Sequence, residues 1–228
     1  MKKTMKFALL LGALLAVATC AVGANNPQVV RLPNGAVQYI TSPKGPTTPY
    51  VEDPSSDPLI FGNLATKDPK GVYSIFGYYA VSGPKSQDPI GLEWDAAAFT
   101  PAASATVTKI TVAVGYVNST NNFDVLLSLN ADKNGAPGKA LKTWKITFHN
   151  GQPAEGTCCT VESKAGSIPV SANTQYWIVL STEADSDIWA GWNLNDSDEI
   201  DTRPVAEYFG QQWNVFSTQV PAFAVYGH

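Results

Sequence analysis

The chain has 228 residues, a formal net charge of −4 and 44% hydrophobic residues. A chain of this length can bury a substantial core without help from disulfides or metal ions. The mildly acidic balance disfavours nucleic acid and anionic membrane surfaces as partners, because both bind clusters of Lys and Arg. No run after the first 24 residues approaches the length of a transmembrane helix, so none is expected in the mature chain.

The first 24 residues have the pattern of a secretory signal peptide. A basic start with three lysines is followed by an apolar run at residues 7–17 and by small residues at 22–24 that fit a cleavage site. The sequence therefore predicts export, with a mature chain that begins at Asn25. The alternative is a lipoprotein signal in which Cys20 carries the lipid, although Thr19 suits that signal poorly.

Residues 25–70 hold eight prolines, which prevent a sustained helix and interrupt the pairing of strands. This segment is predicted to be a Pro-rich N-terminal extension, extended and laid partly on the domain that follows, with plain disorder as the alternative. Within it, Val37 to Ile40 is a short apolar piece that could pair as an edge strand. The folded domain is predicted to cover residues 71–228.

Residues after 70 alternate between apolar and polar in the manner of half-buried strands. The clearest case lies between Phe123 and Phe148, where two alternating runs flank a cluster of Asn, Gly and Pro that predicts a hairpin-like unit. The other strand candidates are residues 72–81, 90–99, 106–117, 160–161, 168–170, 174–181, 188–194, 206–209, 213–216 and 222–226. Many short strands without a convincing amphipathic helix predict an all-β fold, an antiparallel and jelly-roll-like β-sandwich.

The turn of the predicted hairpin carries part of a calcium-loop pattern. Asn130, Asp132 and Asn134 place oxygen ligands at alternate positions, and Gly135 permits a sharp bend. The position that should supply a bidentate Glu is Leu141, so a single carboxylate remains. The favoured interpretation is a tight turn that uses Asn and Gly for positive φ, and a Ca²⁺ site is the alternative.

Cys158 and Cys159 are the only cysteines outside the leader. Two adjacent thiols in an exported protein invite oxidation. A vicinal disulfide would be strained, because adjacent Cα atoms lie ~3.8 Å apart and ordinary bridges need ~4.4–6.8 Å. A vicinal disulfide and a pair of reduced cysteines on opposite sides of a strand both remain open.

Aromatic residues cluster in the C-terminal half of the chain, where Tyr208 stands among four tryptophans. Tryptophan and tyrosine rings on a sandwich surface can stack on sugar rings, while Asn, Asp and Gln bind the hydroxyls. The alternative is that most of these rings belong to the core, whose energetics large aromatic residues dominate. The candidate ligand-binding residues are Trp177, Trp189, Trp192, Asn193 and Trp213.

Catalytic motifs are missing from the sequence, which has no G-x-S-x-G, H-E-x-x-H or phosphate-binding loop. A glycoside hydrolase would need two carboxyl groups ~5–9.5 Å apart, a separation that a sequence does not reveal. Glu93, Asp95, Asp124 and Glu207 are the candidates for such a pair, with nothing to single out any of them. The sequence therefore predicts no enzyme, with a glycan-active hydrolase as the alternative.

Several motifs in combination resemble bacterial exported β-sandwich modules of the choice-of-anchor type, in particular choice-of-anchor R-like domains. They are Asn130 to Gly138 with Leu141 and Trp144, Gly156 to Thr160 with its Cys pair, Thr174 to Trp177, and Trp189 to Asn193. The resemblance covers about residues 71–226, and it implies export and a jelly-roll-like fold but no established ligand or enzyme activity. No hydrophobic sorting tail follows the last strand, so any anchor is expected at Cys20.

The sequence as a whole predicts a secreted or surface-associated, non-catalytic β-sandwich module for adhesion, matrix association or carbohydrate binding. A purely structural exported protein without a small ligand is a further alternative. The expected partner is an extracellular polysaccharide or a cell-surface component, and the expected cofactor is none, with Ca²⁺ as the alternative.

Overall fold

The computed structural model describes residues 28–40, 57–64, 77–119, 124–148, 161–195, 200–209 and 211–228. Within these ranges the chain is all-β, since the regular elements are strands and no residue is helical. None of the described residues forms a helix long and apolar enough to cross a membrane.

The described residues form fifteen strands, which are numbered here in chain order. Their bounds are β1 Gln28–Arg31, β2 Val37–Ile40, β3 Leu59–Gly62, β4 Gly77–Ser82, β5 Trp94–Phe99, β6 Ala105–Val112, β7 Val114–Asn118, β8 Asp124–Lys133, β9 Ala136–Thr147, β10 Val161–Val170, β11 Tyr176–Ser181, β12 Trp189–Asn193, β13 Ile200–Phe209, β14 Gln212–Gln219 and β15 Phe223–Gly227.

The strands form three antiparallel sheets. The five-stranded sheet has the order β1-β2-β4-β12-β7, the four-stranded sheet β10-β6-β15-β3, and the six-stranded sheet β14-β13-β5-β11-β8-β9. Residues of all three sheets, among them Tyr79, Val112 and Leu127, pack in one main core. Sheets that share a core through their inner faces form a β-sandwich, so the predicted fold class is confirmed, while the jelly-roll connectivity stays a prediction.

The predicted hairpin is present as β8 and β9, which pair from Asp124 opposite Thr147 to Lys133 opposite Ala136. The two residues between the strands, Asn134 and Gly135, have φ of 57° and 81°. Positive φ at both positions is what a tight two-residue hairpin turn requires, and Asn followed by Gly meets that need at low steric cost.

The segment predicted as one strand, residues 106–117, forms two strands that belong to different sheets. β6 lies in the four-stranded sheet and β7 in the five-stranded sheet. Between them, the N–H of Ala113 donates to the carbonyl of Ala222 at 3.1 Å, and its carbonyl accepts the N–H of Asn193 at 2.8 Å. The chain can change sheets here because the backbone groups at the break find partners elsewhere.

The Pro-rich segment contributes three strands to the sheets, which places the start of the folded unit well before the predicted residue 71. Val37 and Tyr39 on β2 are buried, and the ring of Tyr39 stacks on that of Tyr78 with centroids 5.2 Å apart. β3 pairs with β15. The described parts of residues 28–64 are therefore integral to the sandwich rather than laid on it.

β9 stands at one edge of the six-stranded sheet as the structure describes it. Its exposed residues include Lys139, Lys142 and Lys145, and Pro137 stands near its start. Lysine and proline are residues that disfavour the pairing of an edge with a further strand.

Candidate functional site

The six-stranded sheet has an outer face, turned away from the main core. On β5, Ala97 and Phe99 pack in the main core, whereas Ala96 and Ala98 point to the other side because side chains alternate along a strand. The outer face carries its own apolar cluster, formed by Ala96, Ala98, Trp177, Val179 and Ala206 with Trp213 packed against it.

Three half-buried aromatic residues, called here the aromatic row, cross this outer face. Trp94 on β5 pairs in register with Tyr208 on β13, which pairs in turn with Trp213 on β14. The rings of Trp94 and Tyr208 stack with centroids 4.6 Å apart, and those of Tyr208 and Trp213 meet edge to face at 5.4 Å. At ~4.8 Å per strand, the row spans ~10 Å.

Polar groups continue the line of the aromatic row across the sheet. The indole N–H of Trp94 donates to Oγ1 of Thr182 at 3.0 Å, which fixes the orientation of this ring. Farther along, the ammonium group of Lys145 on β9 bonds to Glu183 at 2.5 Å and to Asp124 at 3.3 Å. One end of this line is therefore aromatic and the other is charged.

Two polar groups of the aromatic row are open to a ligand. Neither the hydroxyl of Tyr208 nor the indole N–H of Trp213 makes a hydrogen bond within the described part of the chain. Both residues are partly exposed. A ligand that covers the rings could thus also accept hydrogen bonds from these two groups.

Four of the five residues predicted to bind a ligand are buried, which corrects that prediction. Trp177 and Trp192 have no exposed surface, and Asn193 and Trp189 expose 1% and 8% of theirs. Buried rings offer no face to a sugar. Of the five, Trp213 alone is partly exposed, and its partners in the row are residues outside the predicted set.

The polar atoms of three buried residues bind other parts of the chain. The indole N–H of Trp192 donates to the carbonyl of Ala222 at 2.9 Å, and the amide of Asn193 donates to the carbonyl of Ala113 at 3.1 Å. The indole N–H of Trp177 donates to Asp132 at 2.8 Å. These bonds satisfy buried donors and give the three residues a structural role.

The carboxylate of Asp132, in the predicted calcium loop, is an acceptor within a hydrogen-bonded turn. It accepts the backbone N–H of Gly135 at 3.0 Å, the side-chain amide of Gln175 at 2.7 Å and the indole N–H of Trp177. Burial raises the pKa of Asp132, but these three hydrogen bonds outweigh it and the net pKa is lowered.

The side chain of Asn130 is engaged in the same turn. Its oxygen accepts the hydroxyl of Ser128 at 2.7 Å, and its amide donates to the carbonyl of Gly138 at 2.8 Å. Asn134 supplies positive φ at the tip. Oxygens that already accept protein hydrogen bonds are poorly placed to replace the hydration shell of Ca²⁺, so the arrangement favours the tight-turn interpretation.

Three acidic side chains, called here the carboxylate cluster, meet on the inner side of the six-stranded sheet. Glu93 stands just before β5, Asp95 lies on β5, and Glu207 on β13 pairs with Asp95 in register. Carboxylate oxygens from the three residues all lie within 4.8 Å of one another. All three residues have 0% exposed surface.

Residues of β2 in the five-stranded sheet approach the carboxylate cluster from the opposite side. The backbone N–H of Val37 donates to Oε1 of Glu207 at 2.9 Å. The hydroxyl of Tyr39 donates to Oδ1 of Asp88 at 2.6 Å and lies 3.5 Å from Oε2 of Glu93. The site therefore joins two sheets.

Several oxygens of the carboxylate cluster have no hydrogen-bond partner among the described residues. They are Oε1 of Glu93, both carboxylate oxygens of Asp95, and Oε2 of Glu207. Buried polar atoms are nearly always hydrogen-bonded in proteins, so four such oxygens in one place call for a physical explanation.

Burial raises the pKa of every member of the carboxylate cluster, and the charge of neighbouring carboxylates raises the pKa of Glu93 and Asp95 further. Burial is the larger cause for Glu93 and Asp95, followed by the negative charge of their neighbours. Burial also raises the pKa of Glu207 to about 8, although the N–H of Val37 and the charge of Arg31 act in the other direction. Three bare anions at this place would be costly, so the cluster needs protons or a positive ligand.

The structure brings together three of the four carboxylates named as hydrolase candidates. The fourth, Asp124, accepts the hydroxyl of Thr147 at 2.7 Å on the sheet surface. The cluster oxygens lie closer together than the ~5–9.5 Å that glycoside hydrolases use. Their full burial also leaves no face for a sugar ring, so the arrangement suits a small ion or shared protons better than hydrolysis.

The predictions for three cysteines lie outside the described residues. Cys158 and Cys159 fall between β9 and β10, and Cys20 falls in the leader. The vicinal disulfide and the lipid anchor therefore stay predictions.

Comparisons with protein-family models, curated proteins and solved structures find no match for this chain. The resemblance to choice-of-anchor modules stays a prediction for that reason. The outer face of the six-stranded sheet and the carboxylate cluster are the two features of the described residues that bear on function.

Proposed function

We propose that the chain is an exported, non-catalytic β-sandwich module that binds carbohydrate through the aromatic row. The observation that carries the proposal is the alignment of Trp94, Tyr208 and Trp213 on three neighbouring strands. Their rings pack against one another at 4.6 and 5.4 Å. Rings that are already ordered lose little conformational entropy when a ligand covers them.

The chemistry of the aromatic row suits a sugar chain. A pyranose ring has faces of C–H groups, which pack on aromatic rings, and edges of hydroxyl groups, which need hydrogen-bond partners. Tyr208 and Trp213 offer both a ring surface and a donor. Asp124 and Glu183, which are bonded to Lys145, carry two negative charges against its one positive charge. The local charge is therefore negative, which favours a neutral polysaccharide over an anionic one.

Both acidic sites support a non-catalytic role. On the outer face, Asp124 and Glu183 are bonded to Lys145 and stand at the polar end of the line. The carboxylate cluster lies on the inner side of the sheet with no exposed surface. A carboxyl pair that hydrolyses a glycosidic bond must contact its substrate from both sides.

Loss of a ring from the aromatic row is expected to weaken binding strongly. Trp213→Ala and Tyr208→Ala should each weaken the affinity for a bound polysaccharide about 30-fold, because truncation of a central aromatic contact costs about 2 kcal/mol or more. A pull-down with a panel of neutral polysaccharides identifies the ligand, and isothermal titration calorimetry measures the affinity. Phe216→Ala is the matched control, since Phe216 is a half-buried aromatic on the opposite side of β14.

The control variant is expected to bind as the wild type does. If the wild-type protein binds no neutral polysaccharide, or if Phe216→Ala weakens binding as much as Trp213→Ala, the carbohydrate part of the proposal is wrong. The purely structural alternative would then be the better account of the chain.

The export part of the proposal is supported by the leader pattern. Mass spectrometry of the protein recovered from outside the cytoplasm is expected to give a chain that begins at Asn25. A lipid mass on Cys20 would instead support the lipoprotein alternative, an intact leader on the recovered protein would contradict cleavage before Asn25, and recovery from the cytoplasm alone would contradict export. The same spectrum reports whether Cys158 and Cys159 have lost two hydrogens to a disulfide.

A further inference from the structure

We propose that the carboxylate cluster binds one divalent cation of the hard, oxygen-preferring class, with Ca²⁺ as the first candidate. This site is separate from the aromatic row, on the other side of the same sheet. It rests on the spacing, burial and unpaired oxygens of Glu93, Asp95 and Glu207, and it does not depend on carbohydrate binding.

The spacing of the carboxylate cluster matches the size of a coordination sphere. Ligand oxygens lie ~2.4 Å from Ca²⁺, so two ligands of one ion can be no farther apart than ~4.8 Å. Oxygens of Glu93, Asp95 and Glu207 all fall within 4.8 Å of one another. One ion can therefore contact all three carboxylates with little movement of the backbone.

The unpaired oxygens of the cluster are the second and independent sign of a ligand. Asp95 is fully buried, and neither of its carboxylate oxygens accepts a hydrogen bond within the described residues. One oxygen of Glu93 and one of Glu207 likewise accept no hydrogen bond within the described residues. A divalent cation satisfies several such oxygens at once, which no single protein donor near them does.

The donor set selects the class of ion. The cluster offers carboxylate oxygens and contains neither His nor Cys. Such ligands suit Ca²⁺, Mg²⁺ and Mn²⁺, whereas Zn²⁺ and copper are held mainly by imidazole and thiolate. Three carboxylates against an ion of charge +2 leave a residual negative charge, and Arg31 on β1 is placed to offset it, since its charge acts on both glutamates.

Neighbouring groups hold the would-be ligands in place. The N–H of Val37 fixes one oxygen of Glu207, and the hydroxyl of Tyr39 lies beside Glu93 while it bonds to Asp88. Asp88 also accepts the N–H of Ile90 at 2.9 Å. Outer hydrogen bonds of this kind orient carboxylate ligands at metal sites.

The test is thermal unfolding of the mature chain after treatment with a chelator and then with Ca²⁺, Mg²⁺ or Mn²⁺ added separately. At a cation concentration about 100-fold above the dissociation constant, the melting temperature is expected to rise by about 5–10 °C. Asp95→Asn should abolish this rise. Asp132→Asn is the matched control, because it removes the same charge from the hairpin turn and should leave the rise intact.

The stability of the Asp95→Asn variant gives a second readout. In chelator, its melting temperature is expected to equal or exceed that of the wild type, because the substitution removes a buried carboxylate and adds a donor for its neighbours. In the presence of Ca²⁺, the wild type is expected to have the higher melting temperature. Glu207→Gln serves the same purpose if Asp95→Asn does not fold.

Terbium luminescence provides a readout on the wild-type protein alone. Tb³⁺ replaces Ca²⁺ at oxygen sites, and its emission on excitation of Tyr39, whose hydroxyl lies 3.5 Å from Glu93, is expected to appear and then to fall on addition of Ca²⁺. A wild-type melting temperature that none of the three cations changes would overturn the proposal and leave shared protons as the neutralising species. The proposal would also be overturned if added cations no longer raised the melting temperature of Asp132→Asn but still raised that of Asp95→Asn.

Discussion

A chain truncated to residues 71–228 is expected to lose cooperative folding. The truncation removes β1, β2 and β3, and with them the fully buried Tyr39 and the almost fully buried Val37. Loss of a buried aromatic residue costs about 3–5 kcal/mol and loss of a buried valine about 1.5–3 kcal/mol. The sum approaches the whole net stability of a typical domain, about 5–15 kcal/mol.

The truncation also deprives Glu207 of the N–H of Val37 and removes Phe61, whose ring packs 4.9 Å from that of Phe223. Thermal unfolding followed by near-ultraviolet circular dichroism measures the effect. The control is residues 25–228, which should show one cooperative transition. A truncated chain with the same transition and melting temperature as the control would show that the N-terminal strands are dispensable.

Substitution of Trp192 by alanine is expected to lower the free energy of unfolding by about 3–5 kcal/mol. Trp192 has no exposed surface and lies in the main core, where its ring meets that of Phe223 at 6.0 Å. The effect on carbohydrate binding per folded molecule should be small. Denaturant unfolding measures the stability change, and calorimetry on the folded fraction measures the affinity.

Two further variants separate packing from hydrogen bonding and from binding. Trp192→Phe keeps most of the volume but removes one of the two hydrogen bonds that the carbonyl of Ala222 accepts, at an expected cost of about 0.5–1.5 kcal/mol, because the N–H of Ala113 still donates to it. Trp213→Ala should do the reverse of Trp192→Ala, with a small loss of stability and a large loss of affinity. If Trp192→Ala weakens binding more than Trp213→Ala, the division into core and surface tryptophans is wrong.

Local alternation made much of the fold predictable from the sequence. The hairpin of β8 and β9 follows from two alternating runs around Asn134 and Gly135, since side-chain period and turn chemistry agree there. Alternation also predicted β11, whereas β12 and β15 could be predicted from short apolar and aromatic runs. The position of these strands inside the sheets could not be predicted, because the order of strands depends on long-range pairing that no local pattern encodes.

The missed parts of the fold depended on tertiary contacts. β1 and β3 are short and lie among prolines, so their sequence resembles a linker, and the neighbouring strands decide their conformation. The break at Ala113 interrupts a continuous alternation. It forms because Ala222 and Asn193 offer hydrogen bonds there, and these residues lie far away in the sequence.

The candidate site was only partly visible in the sequence. Asp95 has the same phase as the core residues Ala97 and Phe99, which signals an inward carboxylate on β5. That signal does not reveal that Glu207 on β13 stands opposite Asp95. The aromatic row could not be predicted for the same reason. Trp94 and Tyr208 lie far apart in the sequence, and only the register of β5 with β13 brings them together.

The lysines of β9 have a consequence for how copies of the protein meet. If two molecules aligned their β9 strands side by side, Lys139 and Lys142 would bring two positive charges from each copy together, whereas the charge of Lys145 is already offset by Asp124 and Glu183. Repulsion of this kind is weakened by salt. Growth of a continuous sheet from one molecule to the next along this edge is therefore disfavoured in dilute buffer, and this protection against aggregation should diminish as ionic strength rises.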